Sequence, residues 1–175
     1  ICGGYQMLGE KLIDPNLTEG KRQTIQGLSL LDIQTKFSSG KDTYQIEAEV
    51  GEKNDKFNDL KDTKISGYEI HMGQTVLGDS AHPLFNIIKR SNKKCMVKDG
   101  AYSTELDVWG TYIHGIFDND NFRENFINGL LQKKGKDKKQ SYVNFKKKRQ
   151  NALNKLVEAF QKHIEVDTIL KIMDL

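Results

Sequence analysis

Between Gly27 and about Arg90 the apolar residues of this chain fall at alternate positions, and after Asp118 they recur three and four apart. A period of two buries one face of a sheet, and a period near 3.6 buries one stripe of a helix. A strand-rich block closed by helices excludes a pure helical bundle and a pure sandwich, and it predicts an α/β fold with a mixed sheet.

The first dozen residues read as a tight turn entering a helix, with Tyr5, Leu8 and Leu12 on one face until Asp14-Pro15 stops it. Strands are expected over 28–33, 44–50, 64–73, 85–88, 95–97 and 108–113, with a polar connection over 51–63 and a turn at Ser91-Asn92-Lys93. A helix follows, offered caps by Asp118, Asn119 and Asp120, with Phe122, Phe126, Ile127 and Leu130 on one face and Gly135 at its end. Two more are expected, over 142–163 with Leu153, Leu156, Val157 and Phe160 on one side, and over 166–173.

Charge is placed unevenly. Residues 133–149 hold nine basic side chains against Asp137 alone, a net +8, so the remainder is acidic at −5 (18 basic, 23 acidic). A nucleic-acid or anionic-surface module would rest on that segment alone, and a lysine run between helices is ordinarily a solvated face with no aromatic ladder to stack bases. Neither nucleic acid nor membrane is an expected partner. Apolar residues are 37% of the chain, mean hydropathy is −0.63, and no apolar run approaches the roughly 18 residues of a span. Two cysteines cannot build a disulfide framework, so a cytoplasmic, reducing setting is expected.

Cys2 opens the first helix within Cys2-Gly3-Gly4-Tyr5-Gln6. A helix N-terminus favours thiolate over thiol, and glycines allow a sharp strand-to-helix turn whose amides face an oxyanion. That is the logic of a nucleophile elbow, although a lone cysteine is also often a small buried hydrophobe. A cysteine nucleophile needs a base. His163 ends a helix and His82 precedes Pro83 in a turn. His71, in Gly67-Tyr68-Glu69-Ile70-His71-Met72-Gly73, and His114, after Thr111-Tyr112-Ile113, lie at strand ends, where open α/β sheets assemble their sites. His114 is the first candidate and His71 the second. Cys95 reads as core. Cys2, Cys95, His71 and His114 lack the short spacings of a zinc site, so no metal is expected on this chain. Gly4-x-x-x-x-Gly9 continues Glu10-Lys11 and not Lys-Ser/Thr, so no phosphate loop is present.

Taken together, Ile1-Cys2-Gly3-Gly4-Tyr5-Gln6-Met7-Leu8-Gly9 resembles the elbow of class I glutamine amidotransferases, and Gly110 to Phe117 resembles the catalytic-histidine strand of their cobalamin-pathway branch. Gly67 to Gly73 resembles the signature of cobyric acid synthases. The resemblance implies a flavodoxin-like amidotransferase domain with a C-terminal helical tail, divided as a glutaminase domain over 1–134 and a basic segment with helices over 135–175 packed on the same domain. It implies Cys2 as nucleophile, His114 as proton shuttle, the Gly3 N–H as an oxyanion donor, and Gln6, His71 and Gly73 as residues binding L-glutamine. Its expected partner is an N-terminal ATP- and Mg²⁺-dependent synthetase domain that amidates a corrin, adenosylcobyrinic acid a,c-diamide. Enzymes forming the cobyrinic diamide, and amidating partners of peptidoglycan precursor ligases, share the elbow and the histidine strand; Glu69 to Gly73 argues against both. Most of the class carry a glutamate two residues after the histidine, where this chain has Ile116, as the cobalamin branch does. The imidazole's orienter is then a backbone carbonyl, an upstream carboxylate or a neighbouring domain. The chain begins one residue before Cys2, so a second oxyanion donor is expected from outside it, and the isolated piece is expected to turn over slowly or not at all.

Overall fold

The structure is a computed structural model, described over residues 1–51, 60, 63–140 and 143–174. It is mixed α/β. Residues 1–138 and 139–175 form two compact units. In the first, helix α1 (Gly3–Met7) leads into strands β1 (Lys11–Ile13), β2 (Thr24–Gln26), β3 (Ile33–Val50) and β4 (Lys64–Leu77). Then come β5 (Ala81–His82), β6 (Phe85–Arg90), β7 (Lys93–Asp99), β8 (Ala101–Ser103), β9 (Trp109–Gly110), a 3-10 turn (Ile116–Asp118) and helix α2 (Asp120–Lys133). The second unit holds α3 (Phe145–His163) and α4 (Val166–Ile172).

The sheet is mixed, as the alternation predicts. Its order is β2-β1-β3-β6-β7, with β4 also paired to β3, and a smaller sheet runs β5-β8-β9. β1 pairs with β3 in parallel, whereas β3 pairs with both β4 and β6 antiparallel. The long β3 is the strand shared by all three, and its pairing with β4 shifts register between Phe37 and Asp42. On one face Ile46, Ala48, Phe85 and Ile87 pack with Ile113, Ile116 and Phe122. Phe122 is fully buried, which is worth on the order of 2–3 kcal/mol, and its ring sits among Phe85, Trp109, Phe117 and Phe126. A second core joins Tyr5 of α1 to Leu31, Ile33, Ala81, Ala101 and Tyr112.

The N-terminal helix expected to run through Leu12 stops at Met7, and the strand expected over 28–33 starts only at Ile33. One set of hydrogen bonds accounts for both. The N–H of Leu28 bonds to the Met7 carbonyl (2.8 Å), and those of Leu30 and Leu31 bond to the Leu8 carbonyl (both 2.9 Å). Residues 28–31 thus cap the helix end, a job that bars them from a ladder. Leu12 is buried as the expected face requires, but on a strand. The expected strand over 108–113 is likewise confined to Trp109 and Gly110. Past Gly110 the backbone donors are taken by side chains: Tyr112 N–H goes to the Asp99 carboxylate (3.2 Å) and Ile113 N–H to the Thr111 hydroxyl (3.0 Å).

The helices after Asp118 lie close to expectation. Gly135 takes φ +65° after α2. Asn144 caps α3 by accepting from the Lys147 N–H at 2.7 Å, which starts the helix at Phe145. Tyr142, its expected first residue, and most of the polar connection over 51–63 lie outside the described residues. Among those described, no helix is long and apolar enough to cross a membrane.

Candidate functional site

Cys2 caps α1 with φ +52° and ψ −119°, a left-handed backbone that a side-chain-bearing residue adopts only under constraint. Three contacts supply the constraint. Its N–H donates to the Thr111 carbonyl (2.9 Å), its carbonyl accepts from the Gln6 N–H (3.0 Å), and its thiol lies 3.6 Å from the Ile70 carbonyl of β4. Gly3 begins the helix, exposed, with open space where a β-carbon would be. The thiol therefore stands on a strained turn beside a vacant helix start.

His114 is held on the same strand. It exchanges both backbone hydrogen bonds with Tyr68 (2.8 and 3.2 Å), and the two rings stack with centroids 4.9 Å apart. A β-carbon at Gly67 would lie 2.4 Å from the His114 carbonyl, so glycine is what lets the histidine segment approach β4 this closely. Tyr68 and Ile70 are two apart, so their backbone groups point to the same edge of β4, and along that edge lie the His114 backbone and the Cys2 thiol. Burial first, and then the positive charge of His71, pull the His114 imidazole below its ordinary range. A neutral imidazole is the form that accepts a proton.

His71 lies one residue beyond Ile70. Its Nδ1 is 2.9 Å from the Gly73 carbonyl, and its ring stacks on Tyr112 with centroids 3.8 Å apart. Its Nε2 faces Glu69 Oε1 at 3.6 Å, an ion-pair distance too long for a hydrogen bond. Glu69 is buried and receives two bonds from Arg90, Nε to Oε2 at 2.7 Å and Nη2 to Oε1 at 2.8 Å. Burial alone would raise the Glu69 carboxyl, but His71 and Arg90 together hold it below the usual range. Burial alone would lower His71, and Glu69, helped by the Gly73 carbonyl, outweighs it and raises the imidazole instead. The Nε2 atoms of His71 and His114 are the two buried side-chain nitrogens without a hydrogen-bond partner among the described residues. A buried polar atom left unpaired calls for an explanation, and a reacting group is one.

Gln6 faces inward, buried, and its amide donates to the Tyr112 hydroxyl at 3.2 Å. That hydroxyl is 2.6 Å from Thr75 Oγ1, which is 2.8 Å from Thr35 Oγ1. A β-carbon at Gly73 would lie 2.6 Å from the Gln6 amide nitrogen, so the bareness of Gly73 is what admits Gln6. Gln6, whose N–H holds the Cys2 carbonyl, thus meets Gly73.

The remaining candidates lie elsewhere. Cys95 packs against the main core, His82 is exposed on β5 beside Tyr102, and His163 ends α3. Among the described residues no group of three His, Cys, Asp or Glu side chains could hold a metal ion. Sequence reasoning missed Tyr68, Tyr112, Arg90 and Asp99. Tyr68 is legible in hindsight from its place between Gly67 and Glu69, whereas Arg90 and Asp99 are joined to the site only by the pairing of distant strands.

A model of the CobB/CobQ-like glutamine amidotransferase domain matches residues 1–122. The chain is similar to cobyric acid synthases: 41% identical over 174 residues to that of Listeria welshimeri, covering 99% of this chain and 32% of that protein. It is 38% identical to that of Clostridium tetani (99% and 33%) and 37% identical to that of Desulforamulus reducens (100% and 34%). It spans about a third of the length of these curated relatives.

Proposed function

The chain belongs to the CobB/CobQ-like glutamine amidotransferase family, and we propose that it releases ammonia from L-glutamine for the amidation of a corrin, adenosylcobyrinic acid a,c-diamide, on the way to cobyric acid. The observation that carries this reading is the placing of the Cys2 thiol, on a left-handed turn, against the same strand that clamps His114.

In the proposed reaction the Cys2 thiolate attacks the side-chain carbonyl of glutamine and forms a C–S bond. The carbonyl electrons move onto oxygen, where the Gly3 N–H donates to the oxyanion. The adduct collapses as the C–N bond breaks, and His114, holding the thiol's proton, passes it to the leaving nitrogen. Ammonia departs and a glutamyl thioester remains. His114 then takes a proton from water, the hydroxide displaces the thiolate, and glutamate leaves. His71 and Gly73 form the inner wall behind the thiol, with Gln6 bracing it through Tyr112. ATP and Mg²⁺ belong to an N-terminal synthetase domain of the same polypeptide, and no step on this chain runs through them.

The test uses the protein as expressed from its own gene, with ammonia release from glutamine measured for wild type, Cys2→Ala and His114→Ala. Both variants are expected to lose turnover, by about 10³-fold or more. Undiminished turnover in either overturns its role. Amidation of the corrin diamide with glutamine, lost in Cys2→Ala and restored by added ammonium, tests the substrate.

A further inference from the structure

Asp99 is the last residue of β7, and Gly100 (φ +69°) turns the chain sharply into β8. The turn leaves the Asp99 carboxyl buried in the protein. One oxygen accepts from the Thr111 hydroxyl and the other from the Tyr112 N–H at 3.2 Å. Thr111 then works in two further directions. Its carbonyl accepts the Cys2 N–H at 2.9 Å, and its hydroxyl oxygen accepts the Ile113 N–H at 3.0 Å. Since β9 ends at Gly110, residues 111–113 have no strand ladder of their own. Their backbone is tied down by one carboxylate, while the side chains of Tyr112 and Ile113 pack into the two cores, and the three residues connect the backbone of Cys2 directly to His114.

We propose that Asp99 is a positioning residue of the glutaminase site: through Thr111 it sets where Cys2 stands relative to His114 without touching substrate. This rests on the assignment of Cys2 and His114 as nucleophile and base. A buried carboxylate is a costly way to anchor three residues that apolar packing could hold, and its placement between the two reacting groups gives it a use.

The groups facing Asp99 are few. Among the described residues, Glu69 of β4, Tyr5 of α1 and Tyr112 are titratable side chains that interact with it, and all three are acidic. Burial, opposed by the bonds from Thr111, Tyr112 and Gly100 and assisted by the Glu69 charge, pushes the Asp99 carboxyl up to about 6. Burial likewise pushes both tyrosine hydroxyls above their ordinary range. Below that pH Asp99 carries a proton of its own, and an acceptor of the clamp becomes a donor facing the Thr111 hydroxyl.

The experiment compares Asp99→Asn, Thr111→Val and Thr111→Ser in the protein as expressed from its own gene, reading kcat and KM for ammonia release and the rate of Cys2 alkylation by iodoacetamide. Asp99→Asn and Thr111→Val are expected to lower kcat by about 10–10²-fold with KM within about threefold, because the geometry of reaction shifts and binding does not. Thr111→Ser keeps the hydroxyl and is expected to recover most of what Thr111→Val loses. Wild-type kcat in a folded Asp99→Asn, or equal losses in the two Thr111 variants, overturns the proposal. If Asp99→Asn fails to fold, the Thr111 pair decides. If the wild type releases no ammonia, the glutaminase reading falls by itself. The alkylation rates then judge the clamp: slowing in Thr111→Val but not in Thr111→Ser supports it, and equal rates overturn it.

Discussion

Tyr68 and His114 are joined twice, by two backbone hydrogen bonds and by rings stacked 8° from parallel. No glutamate follows the histidine two residues on to orient the ring, since Ile116 occupies that position and is fully buried in the core. Among the described residues the stacked tyrosine ring is what sets the imidazole plane.

Removing that ring should therefore disorder the base without unfolding the protein. Tyr68 is 44% exposed, so Tyr68→Ala is expected to shift stability by about 1 kcal/mol or less. Its kcat for ammonia release should fall about tenfold, and Tyr68→Phe should keep most activity, because the stack needs a ring and not a hydroxyl. Equal loss in both variants, measured alongside thermal unfolding, would contradict the stacking role.

Gly67 tests the approach of the two strands. A methyl group there meets the His114 carbonyl at 2.4 Å and Ile113 Cγ2 at 2.8 Å, so Gly67→Ala must push the histidine segment outward. A displacement near 1 Å at a reacting group is worth about 10²-fold in rate. We expect that loss in kcat, with far-UV circular dichroism unchanged. A wild-type rate would mean that His114 does not depend on this packing.

The pair of Glu69 with Arg90 and His71 predicts a stability profile. Glu69 has its carboxyl held low, so its contribution is present above the unfolded carboxylate range and lost as pH falls through the lower folded value. His71 is held high, so its contribution is full below the unfolded histidine range and lost as pH rises through the folded value. Wild-type stability should thus decline at both ends. Glu69→Gln leaves the part-buried Arg90 charge without its bidentate partner and should cost about 1–3 kcal/mol near pH 6, with the alkaline decline reduced to what the Gly73 carbonyl and Asp42 sustain. Urea unfolding from pH 4 to 9 measures both effects, and an undiminished alkaline decline in the variant would assign it to another group.

Much of this arrangement was legible in the sequence. Cys2 before two glycines predicts a turn, and the backbone at Cys2 is left-handed. The alternation around Ile46 and the apolar face of Phe122 predict the sheet and the helix buried on it. What misled was local periodicity where another segment supplies the hydrogen bonds. Tyr5, Leu8 and Leu12 keep helical spacing, yet residues 28–31 take over the helix end. Val108 to Ile113 has the composition of a strand, yet Asp99 and Thr111 claim its donors. Neither competition is visible within a window of a dozen residues, since the partners lie about twenty and twelve positions away.

Asp99 should oppose stability and activity to one another. Its folded value, about 6, stands above the ordinary carboxylate value of 3.8, so the native state binds more protons than the unfolded chain between those limits. Stability then falls as pH rises across that window and stays lower above it, by about 3 kcal/mol for a shift of this size. An amide in place of this carboxylate carries no charge to bury, so Asp99→Asn should match or exceed wild type in stability at pH 7.5, despite an imperfect bond to Thr111. The two curves should converge below about pH 4, where Asp99 is protonated in both states. A residue needed only for folding would behave oppositely, losing stability at every pH when replaced. Parallel unfolding and ammonia-release measurements on Asp99→Asn separate the cases: lower activity with equal or greater stability marks a carboxylate kept for positioning, and a joint loss marks a structural one.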